Sequence, residues 1–136
     1  MSTQIQFELV SPEEKLVSEP AFLIEIPGDE GMFGVMSGHC SLVSSLKPGV
    51  VKLHGAQGAD VRKIFIAGGF ADVTPANCTI LAEEAIDVKD LNKENLDSAL
   101  KDLNDDLGIA EEVIDKQRIA DKITIVKAKL FALSGY

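Results

Sequence analysis

The side chains best equipped for chemistry in this chain are few: His39, His54, Cys40 and Cys78 are its only imidazoles and thiols. Adjacent His39 and Cys40 would point to opposite faces of an extended backbone, and no C-x-x-C or H-x-x-x-H spacing occurs. They therefore do not spell a zinc site. A Cys–His nucleophilic pair would need an activated thiolate, and nothing in the neighbouring sequence marks one. Gly28, Gly31 and Gly34 form G-x-x-G-x-x-G, which matches neither a dinucleotide fingerprint nor a phosphate loop with its Lys and Ser/Thr. No helix follows them to receive a phosphate at its N-terminus. The paired acids Glu13-Glu14 and Glu83-Glu84 fall at turns or strand ends, where carboxylates are more often solvated than catalytic. These residues point away from an enzyme, a resident metal or a cofactor.

Composition narrows the class further. The 136 residues fit one ordinary domain or two small ones, and 46% hydrophobic with 26% charged content can build a modest core. No stretch approaches the roughly 18 apolar residues that a membrane span needs. Met1-Ser2-Thr3-Gln4 lacks the basic start and apolar run of a secretory signal, so work in the cytosolic compartment is expected, with both thiols reduced. A net charge of −9 repels phosphate backbones and argues against a nucleic-acid partner. The charge is unevenly spread: residues 1–88 carry 12 acids against 5 bases, whereas from Lys116 onward Arg118, Lys122, Lys127 and Lys129 join it against the single acid Asp121. That basic arm reads either as a solvated face with cations near a helix C-terminus or as a docking surface for an acidic partner.

The elements that must carry these residues change period midway. Ile5, Phe7 and Leu9 alternate with polar neighbours; Phe22, Ile24 and Ile26, then Val51 and Leu53, then Cys78, Ile80 and Ala82 do the same. Arg62, Ile64 and Ile66 oppose Val61, Lys63 and Phe65, so that strand is expected to be buried on both sides in part. Turn signals separate these runs at Ser11-Pro12-Glu13-Glu14, from Gly55 to Asp60, at Gly68-Gly69 and at Pro75-Ala76-Asn77. Between Ile26 and Gly49, glycines 28, 31, 34 and 38 and prolines 27 and 48 punctuate very short apolar pieces, which predicts tight loops between short strands. Short antiparallel strands at this spacing predict an all-β sandwich or barrel over residues 1–87.

Residues 88–136 follow a helical period. Asn92 is a good N-cap, with Leu91 and Leu96 placed as a hydrophobic staple. Leu96, Ala99 or Leu100, Leu103 and Leu107 form one apolar stripe, and Gly108 is expected to end the helix in the left-handed conformation. Glu111 and Glu112 stand where a second helix would begin. Its stripe runs through Val113, Ile119 or Ala120, Ile123, Val126, Leu130 and Leu133. The short join predicts an antiparallel two-helix hairpin. Each stripe residue gains about 1.5–3 kcal/mol if fully buried, against about 1–2 kcal/mol per residue of ordering, so such a hairpin is marginal alone and is expected to be movable.

Taken together, these residues resemble the epsilon subunit of bacterial F-type ATP synthase. Phe7-Glu8-Leu9-Val10-Ser11-Pro12 matches the family's opening strand. Ile26 to Gly49 matches its pattern I-P-G-x-x-G-x-x-G-(I/V)-x-x-G-H-x-x-L-(L/V)-x-x-L-x-P-G, and Ile64 to Val73 and Thr79 to Ile86 match its later strands. Beyond residue 88 the match is one of pattern and length. Ser37-Gly38-His39-Cys40-Ser41-Leu42 departs from the usual P-G-H-A-P-L by losing two prolines.

The resemblance implies a non-catalytic central-stalk subunit. Its sandwich would pack on the gamma subunit and on the ring of membrane c subunits at the cytoplasmic face of the bacterial plasma membrane, touching the membrane only through the complex. It would help transmit rotation driven by proton or sodium flow. The implied contact residues are Glu30, Gly31, Met32 and Phe33, with Gly38 and His39 shaping a loop near them. The hairpin would transiently meet the alpha and beta subunits through Arg118, Lys122 and Lys129 and restrain ATP hydrolysis. A free-standing adapter presenting a helical hairpin to an unrelated partner, and a small thiol enzyme, are the readings from other classes; co-purification with gamma separates the first from a rotor subunit.

Some family members bind ATP through I/L-D-x-x-R-A at the start of the first helix; here the positions read Leu91-Asn92-Lys93-Glu94-Asn95-Leu96, without the Arg that would supply a charge-assisted donor. Titration calorimetry with ATP is therefore expected to give no tight isotherm, and a tight one would contradict this reading.

Overall fold

The computed structural model describes residues 4–55 and 61–135. The chain divides into two compact units, Met1–Asp87 and Val88–Tyr136. The turn expected from Gly55 to Asp60 lies, from residue 56 on, outside the described residues.

Among the described residues the first unit holds ten strands: β1 (Ile5–Val10), β2 (Lys15–Ala21), β3 (Leu23–Gly28), β4 (Gly31–Val35), β5 (Leu42–Leu46), β6 (Gly49–His54), β7 (Val61–Ile66), β8 (Gly69–Val73), β9 (Asn77–Ala82) and β10 (Ala85–Asp87). They form one hydrogen-bonded sheet in the order β10-β7-β6-β3-β5-β8-β9-β1-β2, with β4 on β3. β3 lies along β4 and β6, but meets β5 only at Gly28 opposite Leu46. The sheet turns a corner there. β4, β3, β6, β7 and β10 make one half, and β5, β8, β9, β1 and β2 the other. Ile5, Phe7, Leu9, Ile24, Ile26, Val51, Val73 and Ile80 from the two halves belong to one buried cluster. This is the expected sandwich built from a single curled sheet.

Alternation was a good guide where one face is apolar, as at Ile5, Phe7 and Leu9. β7 buries Ile64, Phe65 and Ile66 in succession, so both its faces are covered. Two details differ from expectation. One pairing is parallel, β1 beside β9 with Phe7 opposite Cys78, so the sheet is not wholly antiparallel. β2 is charged and contains Pro20, which hides it from an alternation reading; it is an outermost strand, where a residue without an N–H is tolerated. The ends of the sheet are linked by Arg62 of β7, whose Nη1 stands 3.4 Å from Glu19 Oε2 on β2 and whose Nε stands 3.5 Å from Asp87 Oδ2 on β10.

Gly69 opens β8 at φ 144°, and a Cβ there would run into the carbonyl of Leu81 on β9. Only glycine fits both demands.

The second unit is the expected hairpin. After a 3-10 turn at Val88–Asp90, α1 spans Lys93–Ile109 and α2 spans Val113–Gly135. Asn92 caps α1: its Oδ1 accepts the Asn95 N–H at 3.1 Å. Gly108 does not end the helix in a left-handed turn. It is the penultimate helical residue, and the exit is made by Ala110 in an extended conformation (φ −71°, ψ 131°), so no left-handed residue is needed. The α1 stripe at Leu96, Leu100, Leu103 and Leu107 is half-buried, and α1 has no fully buried residue. In α2, Ile123 and Ala132 are buried, while Val113, expected to begin its stripe, is exposed.

Replacing Gly69 by Ala combines a strained φ with a backbone clash and is expected to lower unfolding free energy by about 3 kcal/mol in a denaturant titration. Gly31→Ala, where φ is 134° but a Cβ meets open space, is expected to cost only about 1–2 kcal/mol. Equal losses at the two positions would show that the Leu81 contact does not matter.

Candidate interaction surfaces

The glycine-rich segment makes a concave surface. β3 and β4 are joined by the two-residue turn Asp29-Glu30, with Gly28 opposite Gly31. The turn is tied to the next strand: the Asp29 N–H donates to the Ser45 carbonyl at 3.0 Å, and the Lys47 N–H donates to the Pro27 carbonyl at 3.0 Å. These bonds open a groove of about 580 Å³ lined by residues 28–33 and 42–45. Glu30, Gly31, Met32 and Phe33 all line it. Leu42 and Val43, which the sequence reading did not single out, complete the lining.

The four residues do not contribute equally. Met32 is 49% exposed and Val43 71%, so both offer apolar surface to a partner. Phe33 is half-buried and packed against the core, and a Cβ on Gly28 would come within 3.0 Å of its ring. Its ring fills the space that glycine leaves, so packing accounts for much of Phe33. Asp29 and Glu30 are exposed acids at the turn.

Gly38 and His39 do not line this groove. The Gly38 N–H donates to the Pro75 carbonyl at 2.8 Å, and Gly38 borders a separate hollow with Gln4, Pro20, Pro75 and Ala76. His39 folds onto its own loop, its N–H donating to the Met36 carbonyl at 3.1 Å and Nδ1 lying 2.7 Å from the Cys40 carbonyl. A carbonyl only accepts, so Nδ1 carries the proton in that contact.

The remaining chemical side chains are dispersed. His54 Nε2 meets Glu25 Oε2 at 2.7 Å across the β3–β6 pair. Cys40 is exposed, and Cys78 is buried in the core. Among the described residues no three His, Cys, Asp or Glu side chains come together as a metal site. A second apolar surface escaped the sequence reading: Phe70 and Leu81, paired between β8 and β9, are 56% and 51% exposed and border a groove with Val10 and Pro12. The signal is a single large apolar residue among the outward positions of each strand, Phe70 two places from Asp72 and Leu81 two places from Thr79.

On α2, Arg118, Lys122 and Lys129 recur at spacings of four and seven and share a helical face. Arg118 and Lys122 are exposed, and Lys129 is half-buried. Arg118 reaches Asp115 only at 4.0 Å, a loose exposed pair of small energetic weight.

Comparison with known proteins decides the family. The family described as "ATP synthase, Delta/Epsilon chain, beta-sandwich domain" matches residues 4–88. The "ATP synthase epsilon chain" of Rhodospirillum rubrum is 41% identical over 135 residues, covering 99% of this chain and all of that one. This chain belongs to the ATP synthase delta/epsilon family. The epsilon chain of Rhodospirillum centenum is 39% identical, over 96% of this chain and 92% of its own length.

Among solved structures, a chain from the "Cryo-EM structure of Euglena gracilis mitochondrial ATP synthase, OSCP/F1/c-ring in rotational state 1" is similar with a TM-score of 0.85 and 27% identity, over 98% of this chain and 83% of that one. A chain of the Tetrahymena thermophila mitochondrial ATP synthase central stalk/c-ring shares the fold, with a TM-score of 0.65 at 15% identity over 96% of each. No described helix is long and apolar enough to cross a membrane.

In this epsilon-type chain the buried thiol is inert. Burial, and then the nearby Asp72 carboxylate, push Cys78 from its ordinary value of 9.0 up to about 12. A disulfide reagent at pH 8 is expected to label Cys40 alone in the folded protein and Cys78 only after unfolding; rapid labelling of both would refute this. The raised value also sets a sign. The stabilising contribution of the protonated Cys78 is complete below pH 9.0 and is lost as pH rises towards 12. Cys78→Ala should therefore flatten the alkaline fall in stability.

Proposed function

We propose that this chain is a non-catalytic rotor subunit of an F-type ATP synthase, at the cytoplasmic face of a bacterial plasma membrane. The observation that carries the reading is 41% identity to an epsilon chain over 99% of this chain, a span that includes both the sheet unit and the hairpin. The β unit packs on gamma and on the c ring and helps pass on rotation driven by ion flow. Met32, Val43 and Glu30 at the groove are the contact surface towards the ring, with Gly31 and Phe33 shaping it and the Gly38-His39 loop lying at a neighbouring contact. A closed apolar core suits that role, because a part that carries torque must not deform: Ile5, Ile24, Ile26, Val51 and Ile80 are wholly excluded from solvent.

The hairpin has the opposite character. α1 buries no residue fully, and an element with little buried surface is held by little free energy and can be displaced. In this reading it meets the alpha and beta subunits transiently, Arg118, Lys122 and Lys129 being drawn to acidic surface, and restrains ATP hydrolysis. It needs no bound nucleotide to do so.

Removing residues 88–136 is expected to leave co-purification with gamma and the c ring intact and to raise ATP hydrolysis by the complex. Loss of assembly would make the hairpin structural and end the regulatory reading. Met32→Ser with Val43→Ser is expected to weaken retention of the c ring while gamma stays bound; unchanged retention would move the ring contact elsewhere.

A further inference from the structure

The tip of the hairpin is acidic, apolar and locally ordered. The last turn of α1 closes with the Ala110 N–H donating to the Asp106 carbonyl at 3.0 Å, and α2 opens with the Lys116 N–H donating to the Glu112 carbonyl at 3.0 Å. On this ordered backbone Ile109, Val113 and Ile114 are 78%, 82% and 70% exposed. Three large apolar side chains left in water within six residues of one another offer a partner apolar area at the turn.

Its charge says what kind. From Asp102 to Asp115 the chain carries Asp102, Asp105, Asp106, Glu111, Glu112 and Asp115 and not one base. Glu111 and Glu112 stand at the positive end of α2, where carboxylates are favoured. Asp105 and Asp106 stand at the negative end of α1, where they are not, and no base in the last turn offsets them. Acids kept at the wrong helix end, beside exposed apolar groups, serve something other than the stability of the helix.

We propose that this tip is a docking surface for a basic protein surface with an apolar centre, opposite in sign to what the Arg118–Lys122 face would bind. Cations from such a partner would meet Asp105 and Asp106 and relieve their clash with the helix dipole. Its apolar centre would cover Ile109, Val113 and Ile114, and the ordered turn means little conformational freedom is lost on binding. Anionic lipid and nucleic acid are repelled by the same charge. The inference stands on the tip alone and holds whether or not the rotor reading does.

The test uses the full chain and a fluorescent helical peptide of about 18 residues made of Leu and Lys, with a Leu and Glu twin as control, followed by anisotropy. The Leu/Lys peptide is expected to bind one to one, less tightly at high salt, and the twin not at all. Replacing Ile109, Val113 and Ile114 by Ser is expected to weaken binding roughly tenfold. Asp105→Asn with Asp106→Asn is expected to weaken it too, while thermal stability holds or rises; a merely misfolded variant would lose both. Glu13→Gln with Glu14→Gln, the same loss of two acids at an exposed turn of the sheet unit, is expected to bind as the parent does. Unchanged binding in either tip variant would overturn the proposal, since the attraction would then belong to the acidic chain as a whole. Sedimentation showing a dimer that the Ser variant abolishes would also overturn it, because a second copy would be the occupant.

Discussion

The corner at Gly28 and Leu46 is the constraint on which the β unit depends. Ten strands share one ladder, yet they must face each other across one core, so somewhere the ladder has to turn through itself. It does so where β3 and β5 share a single residue pair, with Pro27 and Asp29 bonded to the backbone on either side of it. The residues there are small for a steric reason. A Cβ on Gly28 would approach the Gly31 carbonyl to 2.8 Å, and one on Gly49 would come to 2.9 Å from the Pro27 ring. The groove carrying Met32 and Val43 is a by-product of this bend, which links core architecture to the outer surface.

Above that corner the strands divide their labour by parity. Inward positions are saturated with Ile, Val, Leu and Phe, while outward positions are mostly polar, with Met32, Val43, Phe70 and Leu81 exposed at the two grooves. Phe70 and Leu81 sit opposite one another on adjacent strands, so their exposure is a shared patch and not two isolated events. The hairpin obeys different economics. Its stripes are only half-buried, its cap at Asn92 and its turn at Ala110 are local, and its charge is segregated into an acidic tip and a basic stem.

Much of the fold was readable because period reports burial. Alternation in Ile5-Phe7-Leu9 and Cys78-Ile80-Ala82, and the 3–4 spacing from Leu96 to Leu107, each require one buried face, and each element appears. β2 was not readable, since an outermost strand with Lys15, Glu19 and Pro20 has little apolar pattern to betray it. The parallel contact between β1 and β9 was equally hidden, because side-chain parity is the same for either strand direction. Gly108 misled for a related reason: a glycine near a helix end permits a left-handed exit without requiring one, and Ala110 left the helix in an extended conformation.

For the surfaces, the basic run of α2 was legible because a charge run is a one-dimensional fact, whereas Glu30 to Phe33 were named by the family resemblance. Sequence could not assign Leu42 and Val43 to the same groove, nor part Gly38 and His39 from it. Those outcomes rest on hydrogen bonds between residues such as Asp29 and Ser45, or Gly38 and Pro75, far apart along the chain. The order of residues by itself determined which elements form and which of their faces turn inward, since local periodicity and burial act over a few positions. Which outward residues become neighbours was decided only when distant strands paired, since register across a ladder is a property of two segments at once.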